Sequence, residues 1–177
     1  MSGPEERRGL VQVYTGDGKG KTTAALGLAL RASGHGLRTY IGQFMKGQSY
    51  GERTALAGHP YITLVQYGDP RFLRREDVRP EDVAQAARGL EEARRAMLSG
   101  EYAIVVLDEA NVAVWFGLLS EAQVHAFLDE RPAGVEVILT GRRAPQSVID
   151  RADLVTEMRE VKHPYTQGIG AREGIER

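Results

Sequence analysis

Leu10-Val11-Gln12-Val13-Tyr14 followed by Thr15-Gly16-Asp17-Gly18-Lys19-Gly20-Lys21-Thr22-Thr23 is the stretch on which the fold of this chain turns. Leu10 to Tyr14 is rich in strand formers and runs straight into a glycine-dense turn, Gly16 to Gly20. From Thr22 to Arg31, the residues Ala24, Ala25, Leu26, Leu28, Ala29 and Leu30 give a mostly buried helix, which Ser33-Gly34 and Gly36 can end. Strand, glycine turn and helix in that order aim backbone N–H groups of residues 18–23 at one point, and the helix dipole adds about half a positive charge there. That is an anion site. A strict G-x-x-x-x-G-K-[ST] phosphate loop wants glycine at position 15, where this chain has Thr15. The mechanics survive the variation, because Lys21 can neutralise phosphate oxygens and the Thr22 hydroxyl can ligate Mg²⁺.

Short apolar runs and helical patterns alternate over the rest of the chain. Leu37–Phe44 and Tyr61–Tyr67 read as strands, and residues 80–98 as a helix with Val83, Ala86, Ala87, Leu90, Ala93 and Met97 near one face. The opposite face of that helix, dense in Arg and Glu with Glu91 four before Arg95, reads as solvated. Tyr102–Leu107 is apolar without alternation, as expected of a strand buried on both faces of a parallel sheet. A helix over Ser120–Asp129 carries Ser120 and Gln123 as a capping box. Val135–Leu139, a helix from about Pro145, and Leu154–Met158 complete the pattern, whereas Glu160 to Arg177 has no strong period. The prediction is an α/β fold, a mainly parallel sheet flanked by helices, which binds ligands outside the carboxyl ends of its strands.

At 177 residues the chain is expected to form one domain over residues 10–177, behind a polar, flexible tail over residues 1–9. Lys and Arg number 23 against 24 Asp and Glu, so no basic excess supports nucleic-acid binding. The N-terminus lacks an apolar segment and no long apolar window occurs, which predicts a cytoplasmic protein without a membrane partner. With no cysteine, thiolate metal sites and Cys nucleophiles are excluded. His35, His59, His125 and His163 show no metal-ligand spacing.

The candidate site gathers at the predicted carboxyl edge of the sheet. Asp108-Glu109 ends the buried strand, where a carboxylate can hold Mg²⁺ beside a phosphate loop, and spacing does not say which of the two does so. Arg142 follows Thr140-Gly141 after the fifth strand and can bond phosphate oxygens through its planar fork. Trp115-Phe116 reads as core or as the wall of a cavity for a large cosubstrate. No G-x-S-x-G elbow or other protein nucleophile is evident, so the chemistry must belong to bound ligands. A phosphate-loop small-molecule kinase and a non-catalytic nucleotide-dependent switch share these features.

Several segments together resemble the ATP:corrinoid adenosyltransferases of cobamide synthesis and salvage, including the cob(I)yrinic acid a,c-diamide enzymes. They are Tyr14 to Ala25, Gln43-Phe44-Met45-Lys46-Gly47, Val106-Leu107-Asp108-Glu109-Ala110-Asn111, Leu139-Thr140-Gly141-Arg142 and Ala152 to Met158. The tail adds Val161-Lys162-His163-Pro164-Tyr165, Gln167-Gly168-Ile169 and Gly174-Ile175-Glu176. The resemblance implies a P-loop NTPase fold of RecA-like type and transfer of the 5′-deoxyadenosyl group of ATP to the Co(I) of a reduced corrinoid, releasing triphosphate. It further implies that Thr15, Gly16, Asp17, Gly18, Lys19, Gly20, Lys21, Thr22 and Thr23 bind the nucleotide with Arg142, and that Thr22 and Glu109 hold Mg²⁺. Lys21, Glu109 and Arg142 are the implied catalytic residues, with a homodimer and a reductase for the corrinoid as implied partners. Two departures stand out. Asp17 replaces a neutral Asn, and the loop Tyr67-Gly68-Asp69-Pro70-Arg71-Phe72-Leu73-Arg74 carries only Phe72 where relatives have an aromatic pair, Phe-x-Trp, for displacing the lower corrinoid ligand.

Overall fold

The computed structural model describes residues 8–47, 50–69, 71 and 73–175. The strands are β1 (Val11–Thr15), β2 (Thr39–Phe44), β3 (Ile62–Tyr67), β4 (Ile104–Asp108), β5 (Glu136–Thr140) and β6 (Leu154–Glu157). The helices are α1 (Lys21–Ser33), α2 (Gly51–Ala55), α3 (Pro80–Leu98), α4 (Ala110–Trp115), α5 (Glu121–Asp129) and α6 (Gln146–Arg151). The six strands form one sheet in the order β3-β2-β4-β5-β1-β6, with every pairing parallel. Thus β5 separates the strand that feeds the glycine loop from the strand that ends in Asp108, the arrangement of a P-loop α/β fold.

Alternation along the central strands divides the core into two layers. Ile104 and Val106 of β4 face α1, where they meet Ala25, Ala29, Ala32, Ile41 and Ile138. Val105 and Leu107 face the other layer, with Ala86, Leu90, Ala93 and Met97 of α3 and Val124 and Phe127 of α5. Ala25, Ala29 and Ala32 fall on one stripe of α1 at helical spacing, and their small side chains let the helix lie close to the sheet. All five β4 residues are buried, so fully burying each Val, Leu or Ile there contributes roughly 1.5–3 kcal/mol.

The solvated face expected on α3 is present, with Arg95 3.2 Å from Glu91 and Arg94 paired to Glu130, the residue that caps α5. The capping box of α5 is also formed, Gln123 N–H donating to Ser120 Oγ at 3.2 Å and Ser120 N–H to Gln123 Oε1 at 2.8 Å. Two short helices, α2 and α4, lie where no helix is expected from the sequence; at 5 and 6 residues they are too short to carry a period. Residues 1–7 of the expected tail lie outside the described residues, whereas Gly9 N–H already donates to Ala133 O at 2.7 Å.

Two features aim the chain at the carboxyl edge. At the end of β3, the Tyr67 hydroxyl lies 2.5 Å from that of Tyr40 and donates to Glu92 of α3 at 2.6 Å, which anchors the start of the loop 68–74. After β6, the chain crosses the glycine loop, where Gly18 N–H donates to Met158 O at 2.6 Å. A Cβ on Gly16 would sit 2.5 Å from that same oxygen, and Gly16 has φ 90, so both its space and its dihedral require glycine.

Candidate active site

A cleft of about 410 Å³ opens at the carboxyl edge, lined by the glycine loop on one side and by Lys46, Tyr50, Glu109 and Arg142 on the other. Of the residues expected to bind the nucleotide, Gly18, Lys19, Gly20, Lys21, Thr22, Thr23 and Arg142 line it. Thr15, Gly16 and Asp17 are not among the residues that line it; the Thr15 hydroxyl accepts from Ala144 N–H at 3.2 Å, which ties the start of the loop to the turn after β5. Gly20, with φ 113, starts α1 in a conformation open to glycine, and Lys21 is the first helical residue. Its ammonium donates to the carbonyls of Gly16 at 2.7 Å and Gly18 at 2.6 Å, folded back on its own loop.

Asp108 is the centre of the polar floor and is 1% exposed. Its Oδ1 accepts from the hydroxyls of Thr22 at 2.8 Å and Thr140 at 2.7 Å. Its Oδ2 accepts from Gln43 Nε2 at 3.0 Å and Lys46 Nζ at 2.9 Å. A buried carboxylate needs such partners, and here they come from α1, from β2 and the loop that follows it, and from β5. Glu109 follows in the left-handed region at φ 62, a strained geometry for a side-chain-bearing residue, held by its N–H donating to Thr140 Oγ1 at 3.0 Å. Its side chain lines the cleft.

Burial and the neighbouring Asp108 push the Glu109 carboxyl above its ordinary range, with Lys46, Lys21 and Arg142 offsetting them in part. Burial pushes the Lys21 ammonium down, partly offset by Glu109, with Arg142 adding to the fall. Burial acts the same way on Lys46, but Asp108, Glu52 and Glu109 outweigh it and hold that ammonium above its ordinary value. Lys19, Lys21, Lys46 and Arg142 therefore line one cleft with Glu52 and Glu109, above the buried Asp108. Among the described residues no group of three or more His, Asp or Glu suits a metal ion. A metal held chiefly by phosphate oxygens and water needs fewer protein ligands, and Thr22 with the Asp108-Glu109 pair is where it fits.

A second cavity of about 190 Å³ adjoins the first and shares Lys46, Tyr50 and Glu109 with it. Its other walls are Phe44, Met45, Leu73 and Val112, with Asp69 and Arg71 of the loop after β3. Phe72, expected to act from that loop, lies outside the described residues. Trp115 belongs neither to the core nor to either cavity wall; it is 37% exposed, with the Arg143 guanidinium 4.4 Å and that of Arg75 5.5 Å from its ring centre.

The family model for ATP:corrinoid adenosyltransferase BtuR/CobO/CobP matches residues 7–177. The chain belongs to this corrinoid adenosyltransferase family. A corrinoid adenosyltransferase of Sinorhizobium sp. is 38% identical over 183 residues, covering 99% of this chain and 84% of the relative. Those of Pseudomonas aeruginosa and Escherichia coli K12 are each 37% identical, covering 97% of this chain and 85% and 87% of theirs.

Several residues that build this adenosyltransferase site carry no role in the reading of the sequence. Lys46 lies inside a segment that resembles the family, Gln43 to Gly47, but nothing in its spacing links it to Thr22 or Asp108. Glu52, which accepts from Gln43 Nε2 at 3.1 Å, and Tyr50, whose ring lies 5.3 Å from Lys46 Nζ, come from the loop and short helix after β2. Gly174 and Ile175 of the tail also line the cleft, which gives the tail motif a place. The one usable signal was the apolar-to-polar switch at Phe44-Met45-Lys46, since polar residues at the carboxyl end of a buried strand face the ligand edge.

Proposed function

We propose that this chain transfers the 5′-deoxyadenosyl group of ATP to the Co(I) of a reduced corrinoid, with release of triphosphate. The observation that carries the reading is the shared wall: a phosphate-binding cleft and an apolar cavity meet at Lys46, Tyr50 and Glu109. Two substrates of opposite character can be held there with their reacting atoms at the junction. At about 190 Å³ the second cavity is smaller than the ~300–1,000 Å³ usual for a whole cofactor, so the corrinoid would seat one edge in it and project outward.

In this mechanism the electron pair of Co(I) forms a bond to the ribose C5′. The C5′–O bond breaks, its pair leaves on the triphosphate, and cobalt is formally oxidised to Co(III). The N–H groups of residues 18–23 hold the triphosphate, while Lys21 and Arg142 neutralise charge that builds on its oxygens as the bond breaks. Lys21 reaches those oxygens by releasing the Gly16 and Gly18 carbonyls. Thr22 and the Asp108-Glu109 pair would hold Mg²⁺, which supplies further charge neutralisation on the triphosphate. Asp17 is exposed, so its carboxylate can point away from the phosphates toward solvent or ribose hydroxyls.

With no cysteine in the chain, no thiol of its own can supply the electrons that make Co(I), so a separate reductant is part of the proposal. No helix among the described residues is long and apolar enough to cross a membrane, and we place the reaction in the cytoplasm. A homodimer fits the exposed apolar residues of the edge strand β6, Leu154 and Val155, and light scattering tests it. The transfer itself is tested by one product assay. Incubation with ATP, Mg²⁺ and chemically reduced corrinoid is expected to yield triphosphate and adenosylated corrinoid. Diphosphate or orthophosphate as the only product would replace this reading with a kinase or a nucleotide switch.

A further inference from the structure

Lys46 Nζ lies 2.9 Å from Asp108 Oδ2, 3.5 Å from Thr22 Oγ1 and 3.6 Å from Glu52 Oε1, with the Tyr50 ring 5.3 Å away. A hydroxyl and carboxylates around one point form a cage for a small, hard cation, and the cation in it is the protein's own ammonium. Thr22 and Asp108, the pair that would take a divalent ion, are thus both already in contact with a positive charge. Two cations cannot share that space, since they would stand a few ångströms apart with the same anions between them. Lys46 also sits on the wall between the two cavities, on a flexible stem with solvent on one side.

We propose that Lys46 is the resident cation of this cradle, excluding divalent metal from the nucleotide-free protein and moving onto triphosphate oxygens when metal and nucleotide enter together. The inference rests on the reading that the cleft holds a metal–triphosphate. Its physical content is an exchange of partners. Alone, a divalent ion must shed strongly held water and expel an ammonium that then has no anion to meet. Accompanied by triphosphate, the same ion brings oxygens that receive the ammonium, and Asp108 is never left without a cation. Metal binding and phosphate binding are thereby coupled, and the cradle keeps its hydrogen-bonded shape before substrate arrives. A lysine rather than an arginine suits this exchange, being a compact point charge with no fixed fork to satisfy.

The test uses Mn²⁺ as a probe on the nucleotide-free full chain, with free Mn²⁺ measured by electron paramagnetic resonance in the presence and absence of inorganic tripolyphosphate. Wild type is expected to bind Mn²⁺ only when tripolyphosphate is present. Lys46→Met, which removes the charge and keeps the length, should bind Mn²⁺ alone about tenfold or more tightly than wild type. Lys46→Arg, which retains a cation, should exclude it as wild type does. Wild type binding Mn²⁺ alone as tightly as Lys46→Met would overturn the proposal. A measurement on wild type alone guards against a variant that does not fold. In protein carrying ¹³C,¹⁵N-labelled lysine, the Lys46 side-chain resonances should shift on adding magnesium tripolyphosphate and stay in place with magnesium chloride alone. A shift with magnesium chloride alone would show the metal displacing Lys46 unaided, and the proposal would fall. Neither readout involves a corrinoid, so a failed adenosyl-transfer assay would sink the functional reading while leaving this inference to its own result.

Discussion

The two cavities that meet at Lys46 are built in opposite ways. The nucleotide cleft rests on a polar network already closed on itself: Lys21 on two loop carbonyls, Thr22, Thr140, Gln43 and Lys46 on Asp108, and Gly18 on Met158. The second cavity sets apolar walls, Phe44, Met45, Leu73 and Val112, beside the charged Lys46, Glu109, Asp69 and Arg71, and one side of it is a loop rather than a sheet edge. The contrast fits the proposed ligands. A triphosphate is bound by fixed charge and oriented N–H groups, which lose least when they are held in place beforehand. A large apolar ring is bound by area, for which shape can adjust at little cost. Changes on the first side should therefore act on every reaction of the protein, and changes on the second should depend on which corrinoid is offered.

The hardest break on the nucleotide side is Lys21→Ala. It is expected to lower turnover by about 10²–10³-fold or more, as loss of a charge-stabilising donor does, and equally for all corrinoids. The fold should survive, because the carbonyls that Lys21 satisfies lie at the cleft and can turn to water. Steady-state kinetics with two corrinoids, beside circular dichroism, checks both halves; near-normal turnover would show that the loop does not hold the triphosphate.

A second break leaves every charged group in place. A Cβ on Gly18 would stand 2.7 Å from both the carbonyl carbon and oxygen of Arg159, so Gly18→Ala must push the segment after β6 off the loop. Backbone cannot yield as a side-chain end can, and overpacking of this kind costs about 1–3 kcal/mol. Thermal unfolding should register that loss, and nucleotide affinity should fall with it. An unchanged Tm would mean that the crossing segment does not brace the loop.

These two residues mark how far the chain could be read from its sequence. The phosphate loop, the buried strand ending in Asp108 and the alternation of strands and helices were legible because each is local: a period, a run or a turn within about ten residues. Except at β6, strand starts were read one or two residues early, and β1 extends to Thr15, which pairs with Glu157. The convergence on Asp108 was not legible, because Thr22, the Gln43–Lys46 stretch and Thr140 come from three separate segments and meet only through the sheet order. Trp115 was read as core or cavity wall. It stands instead between two guanidinium groups, one of them on Arg143, whose φ of 57 no pattern in the sequence signals.

A gentler probe of the same cleft is Glu109→Gln. Burial and Asp108 both raise the Glu109 carboxyl, so its anion is less favoured in the folded chain than in the unfolded one, and at neutral pH that charge subtracts from stability. The substitution is expected to raise the Tm of the nucleotide-free protein while lowering turnover. Calorimetry in metal-free buffer decides it. A lower Tm would show that Glu109 is held by its cationic neighbours rather than strained against Asp108, and that its place in the cleft is structural.

The smallest effect belongs to the second cavity and sharpens the comparison most. Asp69, Arg71 and Leu73 line that cavity, so the loop that carries Phe72 borders the space assigned to the corrinoid. Losing one aromatic contact costs about 0.5–1.5 kcal/mol, roughly two- to tenfold in rate. If Phe72 helps to displace the lower axial ligand, Phe72→Ala should show that loss with a corrinoid that bears a lower ligand and little of it with one that lacks it, the KM for ATP staying as in wild type. Equal losses on both corrinoids would take Phe72 out of ligand displacement and leave it a packing residue. A raised KM for ATP would do more damage, because it would show that the loop reports to the nucleotide cleft and that the two cavities are not as independent as their walls suggest.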